Sequence, residues 1–161
     1  MLTRMNALEL ERKFLVDKPP DDLHHHPASR IVQGYLVIGA DGSEARLRRR
    51  RDLTWLTVKR GSGLVRLEQE VEITTAQFDL LWPLTEGQRI EKTRYEIALD
   101  GLVIELDSYE GALSSLLTAE VEFPSVAAAE RFDPPSWFGE EVTNEDAYKN
   151  RRLAVDGSPS G

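Results

Sequence analysis

Acidic and basic residues alternate near the amino terminus, in residues 9–14 (ELERKF). Side chains two positions apart in a β-strand point to the same face of the sheet. Glu9, Glu11 and Lys13 would therefore share one face, and most residues on the other face are apolar. Carboxylates are ligands for hard metal ions, and a lysine binds phosphate oxygens. The segment predicts a strand whose charged face holds a metal ion and a phosphate.

The same alternation of charged and uncharged residues recurs along the chain. It appears at 44–48, 57–59, 66–72, 92–94, 105–107 and 120–123. A solvent-facing sheet surface usually mixes charges with Thr, Ser and Gln, and a single charged strand is typical of such a surface. Here seven segments carry nearly pure charge on one parity, and acid-rich strands are separate from base-rich ones. This pattern favours one concentrated charged face over ordinary solvation.

The elements that position this face are predicted from turn and capping signals. Asp41-Gly42, Gly61-Ser62-Gly63 and Asp100-Gly101 lie between strand segments, as hairpin turns of a meander would. If the strands close into a barrel with the charges inward, the lumen is a polar tunnel and helices cover the apolar outside. Residues 15–30 contain three prolines and are predicted to be a loop with a short helical turn.

Three helices are predicted around the strands. Thr75 caps a helix that runs through about Trp82, and Ser125 precedes a second helix over 126–132. Thr143 and Asp146 resemble a capping box for a terminal helix through about Val155. We therefore expect one mainly β domain of the α+β class over residues 1–155, followed by a disordered tail over 156–161.

Composition excludes several classes of protein. The chain has 161 residues, of which 40% are hydrophobic and 30% charged, as expected for one globular domain. No apolar run is long enough to span a membrane, and a secretory signal is not indicated, so we expect a cytoplasmic protein without a membrane partner. A net charge of −8 argues against nucleic-acid binding. The absence of cysteine excludes disulfides and thiolate metal sites.

The bases of the charged parity indicate a polyanionic ligand. They are Lys13, Arg46, Arg48, Lys59, Lys92 and Arg94. A linear triphosphate, with about four negative charges near neutral pH, matches so many bases better than one phosphate does. The acids of the same parity would repel it unless Mg²⁺ or Mn²⁺ intervened. Phosphoryl transfer to water is the expected reaction. Tyr35 is a candidate proton acceptor if a lysine such as Lys13 lowers its pKa.

The ordered series of motifs resembles the CYTH superfamily, the triphosphate tunnel metalloenzymes. The motifs are Glu9-x-Glu11-x-Lys13, the paired arginines Arg46 and Arg48, Lys59, Glu68-x-Glu70, Glu91-Lys92-x-Arg94-Tyr95, Glu105-Leu106-Asp107 and Glu120-Val121-Glu122-Phe123. The resemblance spans about residues 7–154. Residues 137–150 are similar to the short bacterial branch, which is best known for inorganic tripolyphosphatases.

The resemblance implies a closed antiparallel barrel of eight strands and divalent-metal-dependent cleavage of a small triphosphate. It implies metal ligation by Glu9, Glu11, Asp107, Glu120 and Glu122. The six bases named above, with Glu68 and Glu70, correspond to the substrate-binding residues. Tyr35, paired with Lys13, corresponds to a tyrosine assigned as a proton acceptor.

The sequence also fits other functions. A nucleoside or thiamine triphosphatase or an adenylate cyclase would keep the tunnel and differ in how it holds the organic group. A noncatalytic polyphosphate or nucleotide sensor would bind without turnover. A homodimer is also open, because the sequence does not show which apolar helix face stays exposed.

Overall fold

Eight antiparallel strands form one sheet in the computed structural model, which describes residues 10–60 and 67–159. The strands are β1 (Glu11–Leu15), β2 (Ala28–Ile38), β3 (Glu44–Arg50), β4 (Leu53–Arg60), β5 (Leu67–Ile73), β6 (Arg89–Leu99), β7 (Leu102–Tyr109) and β8 (Leu117–Glu122). Their order across the sheet is β1-β8-β7-β6-β2-β3-β4-β5. The predicted mainly β, antiparallel fold is confirmed. The predictions on Glu9, Arg66 and the turn at Gly61–Gly63 lie outside the described residues.

Hairpins connect most neighbouring strands, as the turn signals predicted. Asp100 and Gly101, between β6 and β7, have φ angles of 48° and 78°. Both angles are positive, as in the turns whose twist matches that of antiparallel strands. The predicted loop over 15–30 is shorter than expected, because β2 already begins at Ala28. A short 3₁₀ helix at Leu23–His25 lies within that loop.

The free edge of β1 is covered by a late part of the chain instead of by β5. Leu15 N donates to Glu140 O at 2.8 Å, Gly139 N donates to Leu15 O at 2.7 Å, and Val142 N donates to Lys13 O at 2.8 Å. These backbone groups are consequently unavailable to another strand. Among the described residues β1 and β5 do not pair, so the predicted closure of the barrel by hydrogen bonds is not confirmed.

Two helices cover the outward, apolar face of the sheet. The first, α1 (Thr75–Leu81), begins after Thr74, which accepts a hydrogen bond from Gln77 N in a capping box. The cap was predicted at Thr75, but the capping residue is Thr74, one position earlier in the sequence. The second, α2 (Val126–Arg131), is capped by Ser125 as predicted. Its Ala128 and Ala129 pack on a core that includes Leu106, Val121 and Phe123.

A close approach explains the glycine next to Tyr35. The 3₁₀ helix Trp82–Thr85 follows α1 and packs against β2. A Cβ atom at Gly34 would lie 2.6 Å from Thr85 Cβ and 2.8 Å from a ring carbon of Trp82. Any side chain at this position would push the 3₁₀ helix away from the sheet.

The terminal helix lies on the opposite face from α1 and α2. This helix, α3 (Asn150–Asp156), buries Leu153 in a cluster with Tyr35, Ile90 and Tyr109. Ile90 shares the parity of Lys92 and Arg94, so α3 packs at one end of the charged face. The prediction that this helix packs outside is wrong, because the charged parity ends in apolar residues that need covering.

The predicted capping box of the terminal helix is also wrong. Thr143 Oγ1 accepts a hydrogen bond from Lys13 N at 3.0 Å and donates to Glu141 Oε1 at 2.8 Å. It holds the chain against β1, and α3 begins seven residues later. In the described ranges, every helix is too short or too polar to traverse a lipid bilayer.

Candidate active site

Strand register brings the predicted charged residues onto one face. Directly opposed residues of antiparallel strands share a face. Lys13 lies opposite Glu120, Arg94 opposite Asp107, and Lys59 opposite Glu68. The described segments that were predicted to alternate lie within strands, except for Leu10 and Phe123, which directly flank β1 and β8. The period of two therefore identified the charged face correctly.

Lys92, Arg94 and Asp107 form a buried ion cluster at the centre of this face. Lys92 Nζ donates to Asp107 Oδ2 at 2.7 Å. Arg94 donates to both Asp107 oxygens, from Nε at 2.7 Å and from its terminal nitrogen at 2.8 Å, and it also contacts Glu105. Lys92 and Asp107 are completely buried. Although burial alone would raise the pKa of Asp107, the two cations hold it well below its usual range.

Lys13 is held at the edge of the same face by three groups. Its Nζ lies 3.2 Å from Glu120 Oε1 and donates to the Tyr148 carbonyl oxygen at 2.6 Å, while its backbone N–H donates to Thr143. Burial would raise the pKa of Glu120, but Lys13 and Lys92 keep it below its ordinary value. The lysine predicted to bind phosphate is thus immobilised with its ammonium group on the charged face.

Arg48 carries a positive charge that the described residues leave underneutralised, whereas Arg46 has one carboxylate partner among them, Glu44 Oε1, at 3.9 Å. Burial, together with repulsion from Arg46 and Arg94, lowers the pKa of Arg48 to about 10. No carboxylate in residues 10–60 or 67–159 lies within salt-bridge distance of Arg48. Arg46 Nε is buried without a hydrogen-bond partner in the same residues. A buried donor without a partner is costly, so these groups fit an anionic ligand.

Tyr35 lies beside the two arginines, and its environment differs from the predicted one. Its hydroxyl oxygen accepts a hydrogen bond from Gln33 Nε2 at 2.8 Å. Burial raises the pKa of Tyr35, and the cation that opposes this shift is Arg46. The expected lowering of this pKa by Lys13 is therefore not observed, because Lys13 is engaged with Glu120 and Tyr148.

The acids predicted to bind substrate lie on β5 and contact their neighbours on β4. Glu68 Oε2 is 3.7 Å from Lys59 Nζ, and Glu70 Oε2 accepts a hydrogen bond from Thr57 Oγ1 at 2.9 Å. Lys59 and Thr57 are both buried. Glu68 and Glu70 therefore hold polar groups of the charged face in place.

The acids predicted to bind metal are only partly assembled. Glu11 lies directly opposite Glu122, and like charges in such a pair destabilise a sheet unless a cation lies between them. This donor set fits a hard divalent cation. Within the described ranges, no three acidic or histidine side chains converge on one point, and Asp107 neutralises two bases instead. Glu9 lies outside the described residues.

Three polar residues of the charged face were absent from the predicted site. Gln33 is completely buried between Tyr35 and Arg48, Glu44 is buried near Arg46, and Thr57 is buried against Glu70. All three share the parity of the charged residues on their strands. That parity could have identified them, because any polar residue at an inward position needs a buried partner.

Comparison with known proteins gives the relatives of this chain. An inorganic triphosphatase of Nitrosomonas europaea is 50% identical over 149 residues, covering 91% of this chain and 97% of that protein. An inorganic triphosphatase of Acetivibrio thermocellus is 37% identical over 149 residues, covering 90% of this chain and 92% of that protein. No protein-family model matches the chain.

Solved structures agree with these relatives. The crystal structure of an inorganic triphosphatase aligns with a TM-score of 0.75 at 46% identity, covering 94% of this chain and 100% of that chain. A protein from Pyrococcus horikoshii shares the fold, with a TM-score of 0.55 at 17% identity, over 76% of this chain and 82% of that chain. On its identity to two relatives over about nine-tenths of its length, this chain belongs to the inorganic triphosphatase family.

Proposed function

We propose that this protein hydrolyses inorganic tripolyphosphate to diphosphate and phosphate, in a reaction that requires Mg²⁺ or Mn²⁺. The relative that is 50% identical is an inorganic triphosphatase, and the two chains align over nearly their full lengths. The charged face supplies bases in the number that a triphosphate needs. The motifs on this face also support the assignment of the protein to the CYTH superfamily of triphosphate tunnel metalloenzymes.

The excess of basic over acidic side chains in the interior of the charged face is the structural observation that supports the proposal. Lys92 and Arg94 are buried on one face and Arg46 and Arg48 are half-buried beside them, whereas the buried carboxylates among the described residues are two, Glu44 and Asp107. The pKa is lowered to about 10 for Arg48 and to about 8 for Lys92. Burial is the larger cause in both cases, and repulsion from neighbouring bases adds to it. A bound polyanion would remove this repulsion.

We assign the binding of phosphoryl oxygens to six bases of the charged face. Planar guanidinium groups bind two oxygens at once, whereas lysines act as compact charges. These groups neutralise charge that spreads over the phosphoryl oxygens during transfer. The bases are Lys13, Arg46, Arg48, Lys59, Lys92 and Arg94. Their carboxylate partners, including Glu68 and Asp107, keep the bases in position before the substrate binds.

The divalent cation is assigned to acids at the β1 and β8 edge. Glu11, Glu120 and Glu122 would hold it there, with Glu9 as the further acid that the sequence motif supplies, since carboxylate oxygens are the ligands that Mg²⁺ and Mn²⁺ prefer. When bound, such a cation neutralises phosphate charge and activates water. Asp107 is assigned to the bases, because both of its oxygens accept hydrogen bonds from them. A cytoplasmic location and a homodimer stay predictions.

Phosphate release from three substrates tests the proposal. Inorganic tripolyphosphate, ATP and thiamine triphosphate are each incubated with the protein in Mg²⁺, in Mn²⁺ and in a chelator. We expect release that requires a metal ion and is fastest with tripolyphosphate. Faster release from ATP or thiamine triphosphate would replace the proposed substrate. Tight binding without release from any of the three would indicate a sensor.

A further inference from the structure

Gln33 joins two residues of the proposed active site and is itself completely buried. Its side-chain oxygen accepts a hydrogen bond from Arg48 Nε at 2.8 Å. Its side-chain nitrogen lies 2.8 Å from the hydroxyl oxygen of Tyr35. On strand β2, Gln33 and Tyr35 are two positions apart and so point to the same face.

Arg48 determines which way round the amide of Gln33 is placed. A guanidinium group carries only donors, so the amide oxygen must face Arg48. The amide NH₂ group then faces Tyr35 and donates to the phenol oxygen. Tyr35 accepts this bond, and because a hydroxyl has a single hydrogen, that hydrogen must point away from Gln33. The assignment follows from the chemistry of Arg48 and needs no observed hydrogen atoms.

The Tyr35 hydrogen meets no protein acceptor in the described part of the chain, residues 10–60 and 67–159. The near neighbour on β3 is Arg46, directly opposite Tyr35 in the register, and Arg46 has only donors to offer. Tyr35 is nevertheless 1% exposed. Burial also raises the pKa of Tyr35, which keeps the hydroxyl protonated near neutral pH. Among the described residues, the hydroxyl group is therefore a buried donor without an acceptor.

We propose that Gln33 is a positioning residue that aims the Tyr35 hydroxyl as a hydrogen-bond donor at a phosphoryl oxygen of the substrate, while it holds Arg48 in place. The inference rests on the proposed triphosphatase function. It gives Tyr35 the role of a donor, where the sequence predicted a proton acceptor. A phosphoryl oxygen that gains charge during transfer would take this hydrogen bond together with those from Arg46 and Arg48.

The variant Gln33→Glu tests whether Gln33 determines the direction in which the Tyr35 hydroxyl donates its hydrogen bond. Glutamate has nearly the same shape, but both of its oxygens accept hydrogen bonds. It keeps the contact with Arg48 and turns the Tyr35 hydrogen toward residue 33. We expect kcat for tripolyphosphate to fall about tenfold to a hundredfold, the effect of one hydrogen bond to a charged group. Gln69→Glu makes the same change at an exposed position on β5, and its kcat should stay at the wild-type value.

A double-mutant cycle with Tyr35→Phe separates this role from a purely structural one. If Gln33 acts through Tyr35, Gln33→Glu lowers kcat in the wild-type background and changes it little when residue 35 is phenylalanine. Equal losses in both backgrounds would overturn the proposal, since Gln33 would then act through Arg48 or the fold. Thermal unfolding of each variant checks that it is folded.

The pH profile of Tyr35→Phe gives a second readout, which does not depend on how Gln33→Glu folds. Loss of a hydrogen-bond donor lowers kcat by the same factor across the pH range, whereas loss of a proton acceptor removes one limb of the profile. A lost limb would overturn the proposal.

Calorimetry separates failure of the inference from failure of the proposed function. If the wild-type protein releases no phosphate, the proposed function fails, and tripolyphosphate binding then decides the inference alone. Tyr35→Phe and Gln33→Glu should weaken that binding by similar factors that do not multiply in the double variant. Unchanged binding, or no binding by the wild type, would overturn the inference.

Discussion

Lys92 Nζ donates to Asp107 Oδ2 at 2.7 Å, and both side chains are completely buried. Arg94 contacts the same carboxylate through two nitrogens, so one acid neutralises two bases inside the protein. Burial of ions is costly, and such a cluster is stable only while all of its members are present. Asp107 thus neutralises Lys92 and Arg94 and also stabilises the fold around them.

Replacing Asp107 by asparagine should strongly destabilise the fold. The change keeps the shape of the side chain but leaves Lys92 and Arg94 buried with no negative partner between them. Removal of one partner from a buried ion pair costs about 3–5 kcal/mol. Urea denaturation, monitored by circular dichroism, measures the loss of unfolding free energy.

Asp79→Asn is the matched control for this measurement. Asp79 also accepts a hydrogen bond from an arginine, Arg49, at 2.8 Å, but on the surface of the protein. The free energy of unfolding should change by less than about 1 kcal/mol. Equal losses in the two variants would mean that the buried cluster adds no stability beyond that of a surface pair.

Arg48→Ala should lower kcat/KM for tripolyphosphate by about tenfold to a hundredfold. A hydrogen bond to a charged group contributes about 1.5–3 kcal/mol, and each 1.36 kcal/mol is a factor of ten in rate. Arg49→Ala is the control on the same strand, because Arg49 points to the opposite face and lies 4.3 Å from the centre of the Phe78 ring. If both variants kept the wild-type rate, Arg48 would have no part in binding the substrate.

Glu122→Gln should increase the Mg²⁺ concentration that gives half the maximal rate, by about tenfold or more. Loss of a direct ligand is expected to weaken metal binding at least as much as loss of a group that merely orients a ligand, which costs about 10–100-fold. Glu11→Gln, at the opposed position, should act in the same direction. Glu130→Gln, on the exposed surface of α2, should leave the metal dependence unchanged. A wild-type metal dependence in both site variants would remove these acids from the metal site.

Acid should loosen the segment that covers the β1 edge. Arg12 binds Glu141 through two nitrogens, at 2.8 and 2.9 Å, and this hydrogen bonding lowers the pKa of Glu141 below 4.5. A group with a lowered pKa in the folded state stabilises the fold above its unfolded pKa. The contribution is lost as the pH falls through the folded pKa.

Glu141→Gln tests this acid sensitivity. As the pH falls below about 4.3, the ordinary pKa of a glutamate, the melting temperature of the wild type should fall more steeply than that of the variant. If the melting temperatures of the two proteins fell in parallel, the bond between Arg12 and Glu141 would make no pH-dependent contribution to stability. Asp156→Asn removes an acid near the carboxyl terminus, in a surface pair with Arg152 at 3.6 Å, and serves as the control.

The sequence alone determined which residues form strands and which of their side chains share a face. Alternation with a period of two is local, so the segments around Lys13, Arg46, Lys92 and Glu120 revealed the charged face without knowledge of the strand order. Hairpin signals such as Asp100-Gly101 are local as well, because only a few residues tolerate positive φ angles. The ordered motifs also sufficed to predict a triphosphatase, which agrees with the two relatives.

Only the tertiary structure decided which groups meet across that face. Lys13 binds the carbonyl oxygen of Tyr148, which lies 135 residues further along the chain, and α3 covers one end of the charged face. Gln33 contacts Tyr35 and Arg48 because β2 and β3 pair in one register. A period of two shows which side chains of a strand share a face. It carries no information on the register of the strands, on which strands are neighbours or on what covers a free edge. These depend on packing between distant segments, and packing is a property of the whole fold.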